Sequence, residues 1–364
     1  MRIALLTEIP APFRIPLFNA LAARAEFRAL FLARSDPRRT HYQLHEDEWR
    51  FDHRFLRGRG VRAGGRWIVL NSGVLRELHS FRPDAVGVGG WNQPAFWQAL
   101  VYCRIARVPL LVWIESTARD ARSESPPLEL AKRALIRAAA GAFVPGRASA
   151  EYARSLGVDD IATAPNAVEA ALFDVGADRT THDTCTFLYV GRLDPEKGID
   201  VLLDAFARVP GELVLAGSGS DEAALHARAS ERVRFLGPVP RDELPELYAA
   251  ADVFVLPSRS EQWGMVLNEA AATGLPLIAT DAAGAAYELV DDDLRVRAGD
   301  ADALATAMKR LAEHPELRAT VGRRARRRVA ALTPEAWAEA VLSLAKRSRS
   351  QRRRNRAPLD RSSR

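Results

Sequence analysis

With 364 residues, 48% of them apolar, the chain can bury two cores of the usual roughly 150 residues each. The net charge is +6, but Lys346 to Arg364 holds nine basic residues against one acid, so the rest sums to −2 (+6 less +8), a near-neutral body with a basic tail. Cys103 and Cys185 are too few for a disulfide framework or a zinc site, Met1 is not followed by a signal-peptide pattern, and no apolar run reaches the roughly 18 to 20 residues of a membrane span, so the expectation is a cytoplasmic protein with at most peripheral membrane contact.

Short apolar strands alternate with helical patterns from the start: Ile3–Thr7, Ile15–Arg24, Phe27–Leu32, Ala85–Gly89, Pro94–Ala106, Leu110–Glu115, Leu128–Ala139 and Ala142–Pro145. That alternation predicts a parallel sheet wrapped by helices, an α/β fold, over residues 1–168. Ile161 to Asp183, with Pro165-Asn166 and a polar run, breaks the rhythm as an interdomain connection. A second series follows in 184–333, with strands at Phe187–Val190, Leu213–Ala216, Val233–Leu236, Val253–Leu256 and Leu277–Ala279, and helices at Asp200–Ala207, Asp242–Ala250, Val266–Thr273, Ala301–Ala312 and Pro315–Leu332. A last helix is expected over 334–345, and the basic tail 346–364 is expected to be disordered. In open parallel sheets ligands bind beyond the carboxyl ends of strands, so the loops after Val190, Ala216, Leu256 and Ala279 should converge on one site.

Three of those loops carry chemistry. Four lysines stand against 48 arginines, as in a GC-rich genome that replaces Lys wherever either cation serves, so a retained lysine is informative. Gly191-Arg192-Leu193-Asp194-Pro195-Glu196-Lys197-Gly198 offers the planar fork of Arg192, the point charge of Lys197 and a helix N-terminus, which together suit a diphosphate. Gly217-Ser218-Gly219 lets backbone come close to a phosphate or sugar, although such a pair serves a tight turn as readily. In Ser258-Arg259-Ser260-Glu261-Gln262-Trp263-Gly264-Met265-Val266-Leu267-Asn268-Glu269, the amides of Gly264, Met265 and Val266 would hold phosphate or sugar oxygens. Glu261 suits a sugar hydroxyl pair, and Glu269 a ribose diol. The run Ala270-Ala271-Ala272 implies that Glu269 is enclosed and needs partners.

The combination GRLDPEKG (191–198), GSG (217–219), RFLG (234–237) and SRSEQWGMVLNEAAATGLPLIAT (258–280) resembles the GT-B-fold glycosyltransferases of family 4, over roughly Phe187 to Glu339. The resemblance implies two Rossmann-like domains facing a cleft. It also implies a retaining, metal-independent hexosyltransferase that takes a nucleotide diphosphate sugar as co-substrate, a UDP-sugar before a GDP-sugar. Arg192 and Lys197 would hold the donor diphosphate, Glu269 the ribose and Glu261 the transferred sugar, with Arg234 and Phe235 beside the base. The helix 334–345 would cross back to the first domain.

The first domain departs further from that family. Its entry reads Pro10-Ala11-Pro12-Phe13-Arg14, and Arg14 would bind an acceptor anion, pair across the cleft, or stand as a surface cation. Where family members commonly place a histidine after a strand, this chain has Trp113-Ile114-Glu115-Ser116; Glu115 would bond a sugar or acceptor hydroxyl or act as a structural cap, and Ser116 would face the acceptor. Trp91 and Asn92, after Gly89-Gly90, would line the acceptor side, with core packing an equal reading of Trp91. No histidine forms a ligand set with nearby carboxylates, and His41 and His45 sit alone in a polar stretch, so no metal site is expected. The acceptor is expected to be a cell-surface glycan, a lipid-linked sugar or a small secondary metabolite. Rival readings are a nucleotide-sugar 2-epimerase, whose acid and base have no evident counterpart, and a non-catalytic glycan-binding relative. Nucleic-acid binding would rest on the tail alone and is not expected; the tail suits weak contact with anionic lipid better.

Overall fold

A computed structural model describes residues 1–37, 44–63, 66–119, 125–173 and 184–354. His41, the later part of the interdomain connection (174–183) and the end of the tail (355–364) lie outside the described residues. The first domain runs β1 (Arg2–Thr7), α1 (Ile15–Ala22), β2 (Glu26–Phe31), β3 (Asp52–Phe55), β4 (Gly58–Ala63), β5 (Arg66–Asn71), α2 (Val74–Phe81), β6 (Ala85–Val88), α3 (Pro94–Ala106), β7 (Leu110–Trp113), α4 (Pro126–Ala138), β8 (Gly141–Val144), α5 (Arg147–Ser155) and β9 (Ile161–Thr163). The second runs β10 (Thr186–Val190), α6 (Ile199–Phe206), β11 (Glu212–Ala216), α7 (Glu222–Arg228), β12 (Val233–Gly237), α8 (Leu244–Ala249), β13 (Val253–Leu256), α9 (Met265–Ala272), β14 (Leu277–Thr280), α10 (Ala286–Leu289), β15 (Arg295–Val296), α11 (Ala301–Glu313) and α12 (Pro315–Val329), and α13 (Pro334–Arg354) follows.

Both large sheets are parallel, with strand orders β3-β2-β1-β6-β7-β8-β9 and β12-β11-β10-β13-β14-β15. Helices cover both faces, so strands such as Ile3–Leu6 and Val253–Leu256 are apolar throughout and wholly buried. In each sheet the order reverses beside the first strand of its domain, at β1/β6 and at β10/β13. There the flanking connections leave on opposite faces, and a crevice opens beyond the strand ends.

Three features differ from the sequence expectations. The interdomain connection begins with a true strand, β9, paired to β8 at the sheet edge. An antiparallel hairpin, β4 with β5, was not anticipated; a Cβ on Gly60 would fall 1.8 Å from the Trp67 ring, so the glycine makes room for the tryptophan. The start of the basic tail is helical, since α13 continues to Arg354. Arg347 pairs with Asp160 and Arg349 with Asp84, each at 2.9 Å, and Ser348 is buried, so the first-domain acids give the run the partners that composition alone could not reveal. Within α13, Trp337, Val341, Leu342 and Leu344 join Phe18, Trp113 and Phe143 in one core of the first domain, so the helix does cross back to it.

Candidate active site between the two switch points

A cleft of about 660 Å³ lies where the two crevices face each other, within the usual range of small-ligand sites. Its walls come from the loops after β1 (Thr7–Ile9), β6 (Gly89–Asn92), β7 (Ile114–Ser116), β10 (Arg192, Glu196, Lys197) and β13 (Ser260–Gln262). Eight of the residues singled out from sequence therefore share one surface: Arg14, Trp91, Asn92, Glu115, Ser116, Arg192, Lys197 and Glu261.

On the second-domain wall Lys197 closes a short turn, Pro195–Lys197, and Gly198 follows at φ +67°, where a Cβ would meet the Pro257 carbonyl at 2.4 Å. Only glycine lets the β10 loop lie that close to the β13 loop. Lys197 Nζ then reaches Glu261 Oε2 at 2.5 Å, with the two side chains 14% and 19% exposed. Arg259 braces the same junction by a bidentate pair with Asp200, 2.7 Å for each bond, which holds the Asp200 carboxyl below its usual range. Arg192 projects into the cleft but is engaged by Asp194 and, at 2.6 Å, by Glu196, so its fork is held rather than free.

The remaining expected donor residues belong to the same domain and are set by its backbone and core contacts. Gly217 (φ +136°) would place a Cβ 1.8 Å from the Gly191 carbonyl, and Gly219 would place one 2.4 Å from the Leu193 backbone. On the Cβ side of both glycines the space is taken by the β10 loop. Gly191 itself has φ +152° and lies over the Tyr189 hydroxyl, which donates to the Arg192 carbonyl at 2.6 Å. Arg234 and Phe235 stand on the edge strand β12; Phe235 stacks on His226 at 3.7 Å between ring centroids. Gly264 (φ +93°) opens α9, and a Cβ there would come 3.3 Å from Glu261 Cγ. Met265 and Val266 are half-buried against the core. Glu269 is half-buried and accepts a hydrogen bond from the Tyr248 hydroxyl at 2.7 Å. Loss of solvent raises the Glu269 carboxyl above its ordinary value, opposed by the Tyr248 bond, and burial raises the Tyr248 phenol well above its own.

On the first-domain wall Arg14 caps α1, donates to Thr7 Oγ1 at 2.9 Å, pairs with Glu115 Oε2, and lies 4.3 Å from the Trp113 ring centroid. Glu115 Oε1 accepts from Asn166 Nδ2 at 3.1 Å. Each carboxylate oxygen of Glu115 thus has one protein partner, and the residue still lines the cleft. Trp91 is half-buried, with its carbonyl taking the Trp97 indole N–H at 2.9 Å and the Arg66 guanidinium 5.4 Å from its ring. Asn92 is exposed and donates to Glu8 Oε1 at 3.1 Å, as Gln93 does at 2.9 Å. Gln262 reaches Ser116 across the cleft at 3.3 Å, and Arg119 reaches Asp281 at 2.7 Å.

Four polar residues were not identified from sequence. Glu8 faces the cleft. Lys132, with its side chain 9% exposed, binds Glu129 and Tyr152; burial acts to lower its pKa, but the two hydrogen bonds outweigh it and the pKa is raised. Asn166 and Asn268 are buried: Trp263 Nε1 donates to Asn268 Oδ1 at 2.9 Å, and Asn268 Nδ2 donates to the Asn166 carbonyl at 2.9 Å. The one signal for Asn268 was an amide beside Glu269 in a helix whose other residues are apolar; Asn166 read only as part of a turn.

Residues 178–328 match the family model described as glycosyl transferases group 1. A glycogen synthase of Mycobacterium tuberculosis is 29% identical over 293 residues, covering 74% of this chain and 68% of that protein. The sucrose-phosphate synthase of Thermosynechococcus elongatus superposes with a TM-score of 0.70 at 23% identity, over 98% of this chain and 99% of its own. HepE of Anabaena, solved in complex with UDP, gives 0.72 at 19% identity, over 96% and 99%. The fold is therefore GT-B, two Rossmann-like domains across a cleft. Among the described residues no group of three His, Cys, Asp or Glu is placed to hold a metal ion, and no helix is long and apolar enough to cross a membrane.

Proposed function

We propose that the protein transfers a sugar from a nucleotide diphosphate donor, a UDP-sugar first, to an acceptor hydroxyl, a reading supported by the match of residues 178–328 to glycosyl transferases group 1 and by the GT-B fold. The observation that carries this reading is the Lys197–Glu261 pair, which joins the two loops of the second switch point at the mouth of the cleft. A diphosphate takes Lys197 as its counter-ion and frees Glu261 to accept from hydroxyls of the transferred sugar. Arg192 turns from Asp194 and Glu196 toward the same phosphates, the amides of Gly264, Met265 and Val266 receive their oxygens, and Glu269 accepts from the ribose.

The reaction runs with retention, on the front face of the sugar. The bond from C1 to the diphosphate oxygen breaks as the bond to the acceptor oxygen forms, and the acceptor's proton passes to the departing diphosphate, whose charge Lys197 stabilises in a cleft closed to water. No metal takes part. Arg14, Trp91, Asn92 and Ser116 receive the acceptor, which is a cell-surface glycan, a lipid-linked sugar or a small metabolite. The setting is the cytoplasm, with peripheral contact at the inner face of the membrane.

The test is transfer and hydrolysis with UDP-, GDP-, ADP- and dTDP-sugars in EDTA, wild type against Lys197→Ala. Turnover of one donor that persists in EDTA and collapses in the variant supports the reading and names the nucleotide. Silence with every donor, together with no binding of any nucleoside diphosphate, overturns it.

A further inference from the structure

A continuous line of hydrogen bonds crosses from the second domain to the first. It starts at the Trp263 indole, passes through the Asn268 side chain to the Asn166 carbonyl, continues from the Asn166 amide to Glu115, and ends at Arg14 and Thr7. Its first-domain end lies on the cleft wall, and its second-domain end, the buried Trp263, directly follows the cleft residues Glu261 and Gln262 in the chain. Asn268 is the residue before Glu269 on α9, whose first turn stands beside Glu261, while Glu115 and Arg14 are cleft residues of the first domain. Buried amides are costly unless paired, and apolar side chains would fill both places without that risk. Two members are left incomplete: Asn166 Oδ1 and Arg14 Nε are buried and have no hydrogen-bond partner among the described residues. Asn166, with its orphan acceptor, is the point where the contacts from the two domains meet.

We propose that Asn166 and Asn268 are positioning residues that couple occupation of the second-domain wall to the geometry of the Arg14–Glu115 pair on the first. The proposal rests on the donor reading above and adds to it a direction of influence: a nucleoside diphosphate held by Lys197 and α9 sets Glu115, and through it Arg14, before the acceptor arrives. Reciprocity then requires that an acceptor held at Arg14 tighten the nucleotide by the same factor.

The experiment uses UDP as the probe and hydrogen–deuterium exchange as the readout, on the full chain. In the wild type UDP should slow exchange in peptides of the second-domain wall, around 191–200 and 258–272, and also in first-domain peptides around 110–117. In Asn268→Ala the affinity for UDP and the protection of the second-domain peptides should persist, while the protection around 110–117 falls at least about threefold, the effect of one broken buried hydrogen bond. Asn166→Ala, which keeps the backbone carbonyl that Asn268 uses, should give the same split and guards against an Asn268 variant that fails to fold. First-domain protection equal to wild type in either folded variant overturns the coupling and leaves the donor reading intact. No binding of UDP, GDP or ADP to the wild type removes the donor reading, and the coupling with it.

Discussion

The two walls of the cleft are built by different means. The second-domain wall is fixed by backbone: Gly198 lies against Pro257, Gly217 against Gly191 and Gly219 against Leu193, each where a Cβ would collide with main chain. The first-domain wall is fixed by side chains far apart in sequence, with Arg14, Glu115 and Asn166 brought together from three separate loops. A surface made by glycines is written in contiguous motifs; one made by long-range polar contacts is not. That difference accounts for much of what the sequence reveals about this protein and what it conceals.

Trp337→Ala should remove about 3–5 kcal/mol by emptying the core that α13 shares with Phe18, Trp113 and Phe143, and urea denaturation would measure it. If the second-domain wall binds the diphosphate, Lys197→Ala should lower kcat about 100- to 1000-fold while the melting temperature moves little. Gly217→Ala should cost about 3 kcal/mol from the clash with the Gly191 carbonyl and the strained φ, whereas Gly237→Ala, at φ +68° with open space around it, should cost about 1 kcal/mol. Equal costs in the two glycine variants would mean that the loops are not held by close backbone approach.

The smallest effect concerns pH. Glu269 has a raised pKa, so below its unfolded value of 4.5 it is protonated in both states and costs nothing. As pH rises through the folded value the carboxylate must charge in an enclosed place, and stability is lost. Glu269→Gln does not titrate, so its melting temperature should gain on wild type as the pH rises from about 4.5 toward 7. A difference that is flat with pH would show that Tyr248 already offsets the enclosure.

The parallel sheets were legible because strands covered on both faces read as unbroken apolar runs, and the GRLDPEKG and SRSEQWG loops because each sits beside a strand end. The four strand-end loops of the second domain come together in pairs: the β11 loop meets the β10 loop where the Leu193 N–H donates to the Ser218 carbonyl at 2.9 Å, and the β14 loop meets the β13 loop where the Gly284 N–H donates to the Glu261 carbonyl at 3.3 Å, while the cleft surface itself is lined from the β10 and β13 loops, the pair at the reversal of strand order. Strand order is a non-local property, and no single strand carries it. The β4–β5 hairpin escaped because Gly and Arg interrupt its first strand, although Gly64-Gly65 offered a turn signal. Asn166 looked like turn chemistry because its partners, Glu115 and Asn268, are 51 and 102 residues away. The helical start of the tail went unseen because its acids, Asp84 and Asp160, belong to another domain.

The crossing of α13 has a consequence for how the molecule is made. The first domain leaves the ribosome well before α13, so its core lacks Trp337, Val341, Leu342 and Leu344 until that helix is synthesised. The second domain has its own core, complete with α12, and is free to close first. Of the two domains, the one translated first is thus completed second, and until α13 is made it carries an open apolar face.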